Sequence, residues 1–329
     1  MQNKKVLVTG AGGFIGSHLA KRLYEEGVFV RVVDIKWDDY MPDRYYSEKL
    51  TLDLRDLDSC LKATKDIEYV FNFAADMGGI GYIGTVGADI MHNSGLININ
   101  MLQASVENKI ERFMFSSSAC IYPEYKQLDS KVTALKEEDA YPAQPDQFYG
   151  WEKLFSEILC EAYRKDYKLD TRVVRFHNIF GPYGTWDGGR EKAPAALCRK
   201  IIMAENLGTI DIWGDGKQTR SFCYIDDCLE GVCRLMESDY IHPLNVGSDE
   251  LVTIDELTDM VIRISGKKIM KEYDISKPQG VRGRNSDNTL IKKILGWAPS
   301  TRLEEGLKKT YPWIEQQILK KKQNKEMIR

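Results

Sequence analysis

The sequence predicts an α/β protein: a Rossmann-type, doubly wound parallel sheet with a smaller, interleaved C-terminal substrate lobe. Two observations carry this. Short apolar runs alternate with helical stretches from Lys5 to Phe176, the pattern of parallel strands covered on both faces. A glycine turn, Gly10-Ala11-Gly12-Gly13-Phe14-Ile15-Gly16, separates the first run from the first helix. Its glycines let the backbone approach a pyrophosphate, whose charge a helix N-terminus favours.

Each element follows in order. Lys5–Thr9 is a short apolar strand, Ser17–Glu26 a helix that stops at Gly27, and Phe29–Asp34 a buried strand. Leu50–Leu54 and Tyr69–Ala74 read as two more strands, Asn93–Asn108 as a helix and Arg112–Ser117 as a strand. A helix over 149–166 precedes a strand over Thr171–Phe176. Beyond Asn178 the pattern loosens into Gly- and Pro-rich turns. Ala193–Glu205 and Ile225–Met236 then read as helices, the second returning to the first domain. Gly214-Asp215-Gly216 punctuates a strand pair, and Thr253–Ile264 and Leu303–Leu319 are amphipathic helices. Residues 1–178 therefore form a dinucleotide-binding domain with a returning segment near 222–248, and 179–329 form mainly the substrate lobe.

Composition sets the class. With 329 residues, 43% apolar and 29% charged, the chain has material for an ordinary globular core. A formal charge of −3 gives no sign of a nucleic-acid-binding surface. Lys320-Lys321-Lys322 reads as a frayed, solvated tail. The seven cysteines are dispersed, with no Cys-x-x-Cys pair and no histidine pair at ligand spacing, so no metal site is expected and a reduced cytoplasm fits. The strand beginning at Lys5 leaves no room for a signal peptide, and no apolar run is long enough to span a bilayer.

Chemistry concentrates in a few positions. Gly10, Gly13 and Gly16 stand between a strand and a helix, a context far more specific than a glycine triplet alone. Asp34 ends the second strand, 18 residues past Gly16, where a carboxylate accepts from both ribose hydroxyls of NAD and repels the extra phosphate of NADP. Nearby Arg31 and Lys36 work against that preference, and a solvated strand end is the alternative reading of Asp34. Asp53-Leu54 either flanks an adenine or simply ends a strand. Tyr149 and Lys153 are four residues apart on one helix face. An ammonium there favours the phenolate below the phenol's ordinary pKa of about 10. Ser118 adds a hydroxyl for sharing a substrate proton. That set suits hydride transfer from an alcohol to a nicotinamide. Cys120 is not needed for oxidation, so it points either to a second chemistry at the same site or to a packing residue.

The glycine motif, Asp34, Asp53, Ser118, Tyr149 and Lys153 resemble, in order, the extended short-chain dehydrogenase/reductase family. Blocks along nearly the whole chain are similar to the GDP-mannose 3,5-epimerases within it. They include Ala74-Ala75-Asp76-Met77-Gly78-Gly79, Ser117-Ser118-Ala119-Cys120-Ile121-Tyr122-Pro123, Arg175-Phe176-His177-Asn178, Gly188-Gly189-Arg190-Glu191-Lys192-Ala193-Pro194, Gln218-Thr219-Arg220-Ser221 and Val281-Arg282-Gly283-Arg284-Asn285-Ser286. The resemblance implies NAD bound by the glycine turn with Phe14 and Ile15, by Asp34, Asp53, Leu54 and Ala74, and by Tyr149 and Lys153. It implies epimerisation of GDP-mannose at C3 and C5 through transient oxidation at C4, and of C5 alone for GDP-L-gulose. Tyr149 and Ser118 would serve the C4 oxidation, with Cys120 as base and Lys192 as acid on opposite faces of the sugar. Carbons beside a C4 ketone are acidic where an unactivated sugar C–H is not, which supports the same order of events.

The resemblance also implies a GDP-sugar held by Gly78, Asn178, Glu191, Lys200, Gln218, Arg220 and Arg282, with Arg284, Asn285 and Ser286 as further candidates. For each basic residue the alternative is a surface salt bridge. His177, at a strand end, reads as an acid or equally as a structural residue, and is assigned no catalytic role. Helices 93–108 and 149–166 imply a homodimer, although Ile97, Met101, Phe155 and Leu159 would serve an interface or the core equally. Three rival readings stand beside this one: a GDP-fucose synthase type of epimerase–reductase, which would use NADPH; an epimerase or C4 oxidase of a modified GDP-mannose or GDP-heptose; and a non-catalytic nucleotide sensor, which would not need the Tyr149–Lys153 pair.

Overall fold

A computed structural model describes residues 1, 3–37, 41 and 44–327. The first elements are β1 (Lys5–Thr9), α1 (Phe14–Glu25), β2 (Phe29–Asp34), β3 (Glu48–Thr51), α2 (Leu57–Thr64), β4 (Tyr69–Asn72), α3 (Ile80–Ile83), α4 (Gly87–Glu107), β5 (Arg112–Ser118), α5 (Phe148–Tyr167) and β6 (Asp170–Phe176). Then come β7 (Ile179–Phe180), α6 (Ala193–Met203), β8 (Thr209–Trp213), β9 (Thr219–Arg220), β10 (Cys223–Tyr224), α7 (Ile225–Glu237), β11 (Leu244–Val246), β12 (Val252–Thr253), α8 (Ile254–Ser265), β13 (Met270–Asp274), β14 (Gly283–Arg284), α9 (Thr289–Leu295) and α10 (Leu303–Met327).

Among the described residues, seven strands form a parallel sheet in the order β11-β6-β5-β4-β1-β2-β3. This is the Rossmann-type sheet expected. Strand order reverses between β1 and β4, and in such sheets ligands bind at that switch point, beyond the strand C-termini. The alternation of side chains along β1 explains its continuous apolar run. Val6 and Val8 enter one core layer with Leu19 and Leu23 of α1 and Val232 of α7. Leu7 points the other way, into a layer with Met101 and Leu102 of α4, Phe113 of β5 and Cys160 of α5.

Four local expectations are revised. The first helix starts at Phe14 instead of Ser17, because extended Gly13 is its N-cap and Phe14 and Ile15 already wind. The helix expected from Asn93 begins at Gly87. The strands around Gly214-Asp215-Gly216 do not pair with each other: β8 pairs with β13, and β9 lies between β12 and β14. Finally, Lys320-Lys321-Lys322 is helical, within α10. Lys321 pairs with Asp187 and lies 5.5 Å from the centre of the Trp186 ring, which holds that turn against the molecule. Among the described residues, no helix is long and apolar enough to cross a membrane, and no group of three or more His, Cys, Asp or Glu is placed to hold a metal ion.

Candidate active site

A cleft of about 900 Å³ opens at the C-terminal edge of the sheet. Gly10, Gly13, Phe14, Ile15 and Gly16 form one wall. Gly10 has φ +67°, and a Cβ there would come within 2.7 Å of the Phe73 backbone, so the turn after β1 needs glycine. No side chain caps the first turn of α1, which leaves its N–H groups facing the cleft for an anion.

Asp34, Asp53, Leu54 and Ala74 line the same cleft. The Asp34 carboxylate accepts from the Gly12 N–H at 2.9 Å and the Lys36 N–H at 3.1 Å, which fixes it at the end of β2 beside the glycine turn. Arg31 is committed elsewhere, to Glu48 at 2.7 Å and to the carbonyls of Ala63 and Lys65. It therefore does not compete with Asp34. The Asp53 carboxylate is engaged by Arg55, which holds it below the usual carboxylate range.

Ser118, Tyr149, Lys153 and Lys192 line the opposite side. Ser118 ends β5 and caps the following 3-10 turn, accepting from the Cys120 N–H at 3.2 Å. Gly150 lets α5 pack onto that turn: a Cβ there would lie 2.1 Å from the Cys120 carbonyl oxygen. Tyr149 thereby meets Ser118. Its phenol is pushed well up, chiefly by burial, while the hydrogen bond with Ser118 pulls the other way. The expected lowering by Lys153 is not what the structure shows. The Lys153 Nζ sits 4.8 Å from the centre of the Phe115 ring and 3.7 Å from a Glu152 carboxylate oxygen, so its charge is already shared.

Sequence reading did not find the network behind that lysine. Thr9 donates to Asn72, Asn72 to Asn98, and Asn98 to Glu152, each at 2.8 Å and all buried. The chain ties the end of β1 to α5. Its members are polar residues on separate elements, with no periodic signal between them.

Lys192 is the N-cap residue of α6. Burial pushes its ammonium down, the nearby Arg284 guanidinium adds to that, and Cys120 opposes it. The structure thus brings Lys192, Cys120 and Arg284 into one electrostatic neighbourhood. The Cys120 Sγ accepts from the Arg284 guanidinium at 3.3 Å. Gly78 also lines the cleft, and the loop carrying Lys192 is strapped to the segment that follows it. Gly79 donates to the Arg190 carbonyl at 3.0 Å, Arg190 stacks 3.7 Å from the centre of the Tyr82 ring, and Tyr82 donates to Asp76 at 2.8 Å.

The remaining expected sugar-nucleotide contacts are distributed unevenly. Asn178, with φ +44°, donates its amide to the Ser221 carbonyl at 3.0 Å. Glu191 is held by Arg199 at 2.6 Å, and Lys200 by Asp211 at 2.8 Å. Gln218 donates to the Trp213 carbonyl at 2.8 Å and leaves its buried Oε1 without a partner. Arg220 is the informative one. Its guanidinium donates to the carbonyls of Thr219, Gln279 and Val281, and burial followed by Arg284 pushes it down. Its Nη1 and Nη2 are thus engaged by backbone carbonyls, and it is not among the residues lining the 900 Å³ cleft. Arg282 forms a two-pronged pair with Asp215 at 2.8 and 2.9 Å, the salt bridge given above as its alternative. Two residues on, Arg284 faces the Cys120 thiol instead. His177 is buried against Asn245 at 3.0 Å, and burial pushes it down to about 3.

Known proteins show the same combination of fold and sequence. Residues 6–247 match the NAD dependent epimerase/dehydratase family. GDP-mannose 3,5-epimerase of Arabidopsis thaliana is 52% identical over 98% of this chain and 85% of its own length. GDP-L-fucose synthase of Sinorhizobium fredii is 31% identical over 94% of this chain and 95% of its own. The crystal structure of UDP-glucuronic acid 4-epimerase from Bacillus cereus, in complex with UDP-glucuronic acid and NAD, superposes with a TM-score of 0.83 at 27% identity, covering 95% of this chain and 99% of that one.

Proposed function

The chain belongs to the NAD dependent epimerase/dehydratase family, and from that premise we propose that it epimerises GDP-mannose at C3 and C5. The observation that carries the reading is the meeting of two chemistries: Ser118, Tyr149 and Lys192 line one cleft, and Cys120, on the turn capped by Ser118, acts electrostatically on both Tyr149 and Lys192. An oxidase of C4 alone needs only the first.

The residues present fit NAD. The uncapped first turn of α1 suits its pyrophosphate, and Asp34 suits the ribose diol. Held there, NAD would supply the capacity to accept a hydride from C4 and give it back. After its own phenol proton has passed to solvent, a loss that the Lys153 ammonium 5.6 Å from its ring favours and burial opposes, Tyr149 would accept the C4 hydroxyl proton, while Ser118 hydrogen-bonds the same oxygen. Lys153 orients the ribose beneath the tyrosine. Once C4 is a ketone, the hydrogens on C3 and C5 are acidic. Cys120 removes one, and Ser118 steadies the enolate oxygen. Lys192, its proton loosened by burial, delivers a proton to the opposite face. Residues 1–178 with 222–248 serve the cofactor, and the rest of the chain serves mainly the sugar nucleotide.

We place the reaction in the cytoplasm, where seven free cysteines stay reduced, and we assign the protein to a homodimer. Phe148, Trp151, Phe155 and Ile158 form one exposed apolar stripe on α5, and Met91 and Ile99 extend it on α4. Of the interface candidates, Phe155 belongs to this stripe. Met101 is fully buried in the core, and Ile97 and Leu159 pack against that core.

The test is incubation with GDP-mannose in deuterated water. Deuterium at C3 and C5 of the recovered sugar is expected. Its absence would sink the epimerase reading, and deuterium at C5 alone would restrict the reaction to the gulose product.

A further inference from the structure

Cys120 is set among charges that nothing in the sequence spacing predicts. Arg284 lies 164 residues away yet donates from Nη1 to Sγ at 3.3 Å. Arg220 on β9, Lys192 ahead of α6 and Tyr149 on α5 also act electrostatically on the same thiol. Asp146, in the loop before α5, is the carboxylate of this group. It lies 3.7 Å from Arg284 Nη2. That separation is too long for a hydrogen bond: Nη2 and the Asp146 Oδ1 are both buried without a hydrogen-bond partner.

Arg284 is not free to swing. Gln127, fully buried, accepts from its Nε. The Gln127 carbonyl accepts from the Arg282 and Gly283 N–H groups at 2.9 and 3.1 Å. Gln127 in turn donates to the carbonyls of Tyr122 and Pro123, just past the cysteine. β14 is thereby stitched to the turn that carries Cys120, and the guanidinium fork is aimed at the sulfur.

A neutral thiol is a poor acceptor for a guanidinium, whereas a thiolate is a good one. Three cations surround Cys120, and one carboxylate, Asp146, lies against two of them, Arg284 and Arg220. An ionised sulfur would supply the missing counter-charge, as cationic surroundings do for reactive cysteines generally. We propose that Arg284 is the positioning residue for Cys120: it holds the sulfur in place and favours its thiolate, readying the group assigned above as the base. The proton leaves to solvent before substrate chemistry begins. This rests on the reading of Cys120 as base, but its test does not need turnover.

The test is the rate of alkylation of Cys120 by iodoacetamide as a function of pH in the NAD-loaded protein, followed on the Cys120 peptide by mass spectrometry. The other six cysteines are buried, so Cys120 is the partly exposed one. Arg284→Gln is expected to slow alkylation about 10-fold or more at neutral pH by moving the pH midpoint up about one unit. Arg284→Lys restores part of the rate. Asp146→Asn, which removes the opposing carboxylate, moves the midpoint down and carries the test if Arg284→Gln does not fold. A purely structural role would change the rate at every pH and leave both midpoints where they are in the wild type; that result would overturn the proposal. A failed deuterium experiment with shifted midpoints would remove the epimerase reading and leave this one standing.

Discussion

The Lys153 ammonium lies 5.6 Å from the centre of the Tyr149 ring, with the Phe115 ring 4.8 Å from it on another side. Lys153 is therefore packed beside the tyrosine at the bottom of the cleft, and burial dominates the phenol. Tyr149→Phe keeps the packing and removes only the proton acceptor. The rate of deuterium incorporation from solvent should fall by roughly 10²–10⁴, the usual worth of a positioned acid–base group. GDP-mannose binding, measured by calorimetry, should change little.

Lys192→Arg separates oxidation from epimerisation. Arginine keeps the charge at the head of α6 but does not give up its proton. Deuterium incorporation should therefore drop at least about 100-fold, while transient reduction of the nicotinamide on mixing with GDP-mannose, read by its near-ultraviolet absorbance, persists. Loss of both signals together would make Lys192 a binding residue only.

How far the sequence reached depends on range. The alternating runs located the strands of the sheet because each side chain along β1 answers to a different buried layer. The glycine turn, Asp34 and the Tyr149–Lys153 pair were legible because each sits at a fixed distance from its own element. Pairings between distant elements were not. Arg282 and Arg284 are indistinguishable as letters in one motif, yet one closes on Asp215 and the other on Cys120. Likewise, nothing local says that Glu152 faces Asn98 beside Lys153. Met101 shows the same limit from the other side, since an apolar position on a helix fits a core and an interface equally until its neighbours are known.

The exposed stripe on α5 gives a prediction for assembly. Trp151 is 44% and Phe155 48% exposed, one turn apart on the same face. Glutamate at both positions would put charge into the centre of a two-fold helix-pair interface, where each residue meets its own copy's neighbourhood. The doubly substituted protein should sediment as a monomer at concentrations where the wild type is a dimer, with its far-ultraviolet circular dichroism unchanged. A wild-type monomer would sink the dimer assignment outright.

His177 sets an acid limit on stability. It is fully buried, its Nε2 meets the Asn245 side chain at 3.0 Å, and burial pushes it down to about 3 from an ordinary value of 6.5. The folded state therefore keeps it neutral while the unfolded chain takes up a proton below pH 6.5. More protons bound in the unfolded state means that stability rises with pH through this window and is lost as pH falls from about 6.5 toward 3. The loss is about 1.4 kcal/mol for each unit below 6.5. Urea denaturation at pH 7.5 and pH 5.5 measures it. His177→Asn removes the titrating group, so the difference between the two pH values should shrink by about 1.4 kcal/mol relative to wild type, whatever the substitution costs at either pH alone. An unchanged difference would mean that His177 is protonated in the fold and that the guanidinium groups of Arg175 and Arg284, which disfavour its charge, are compensated.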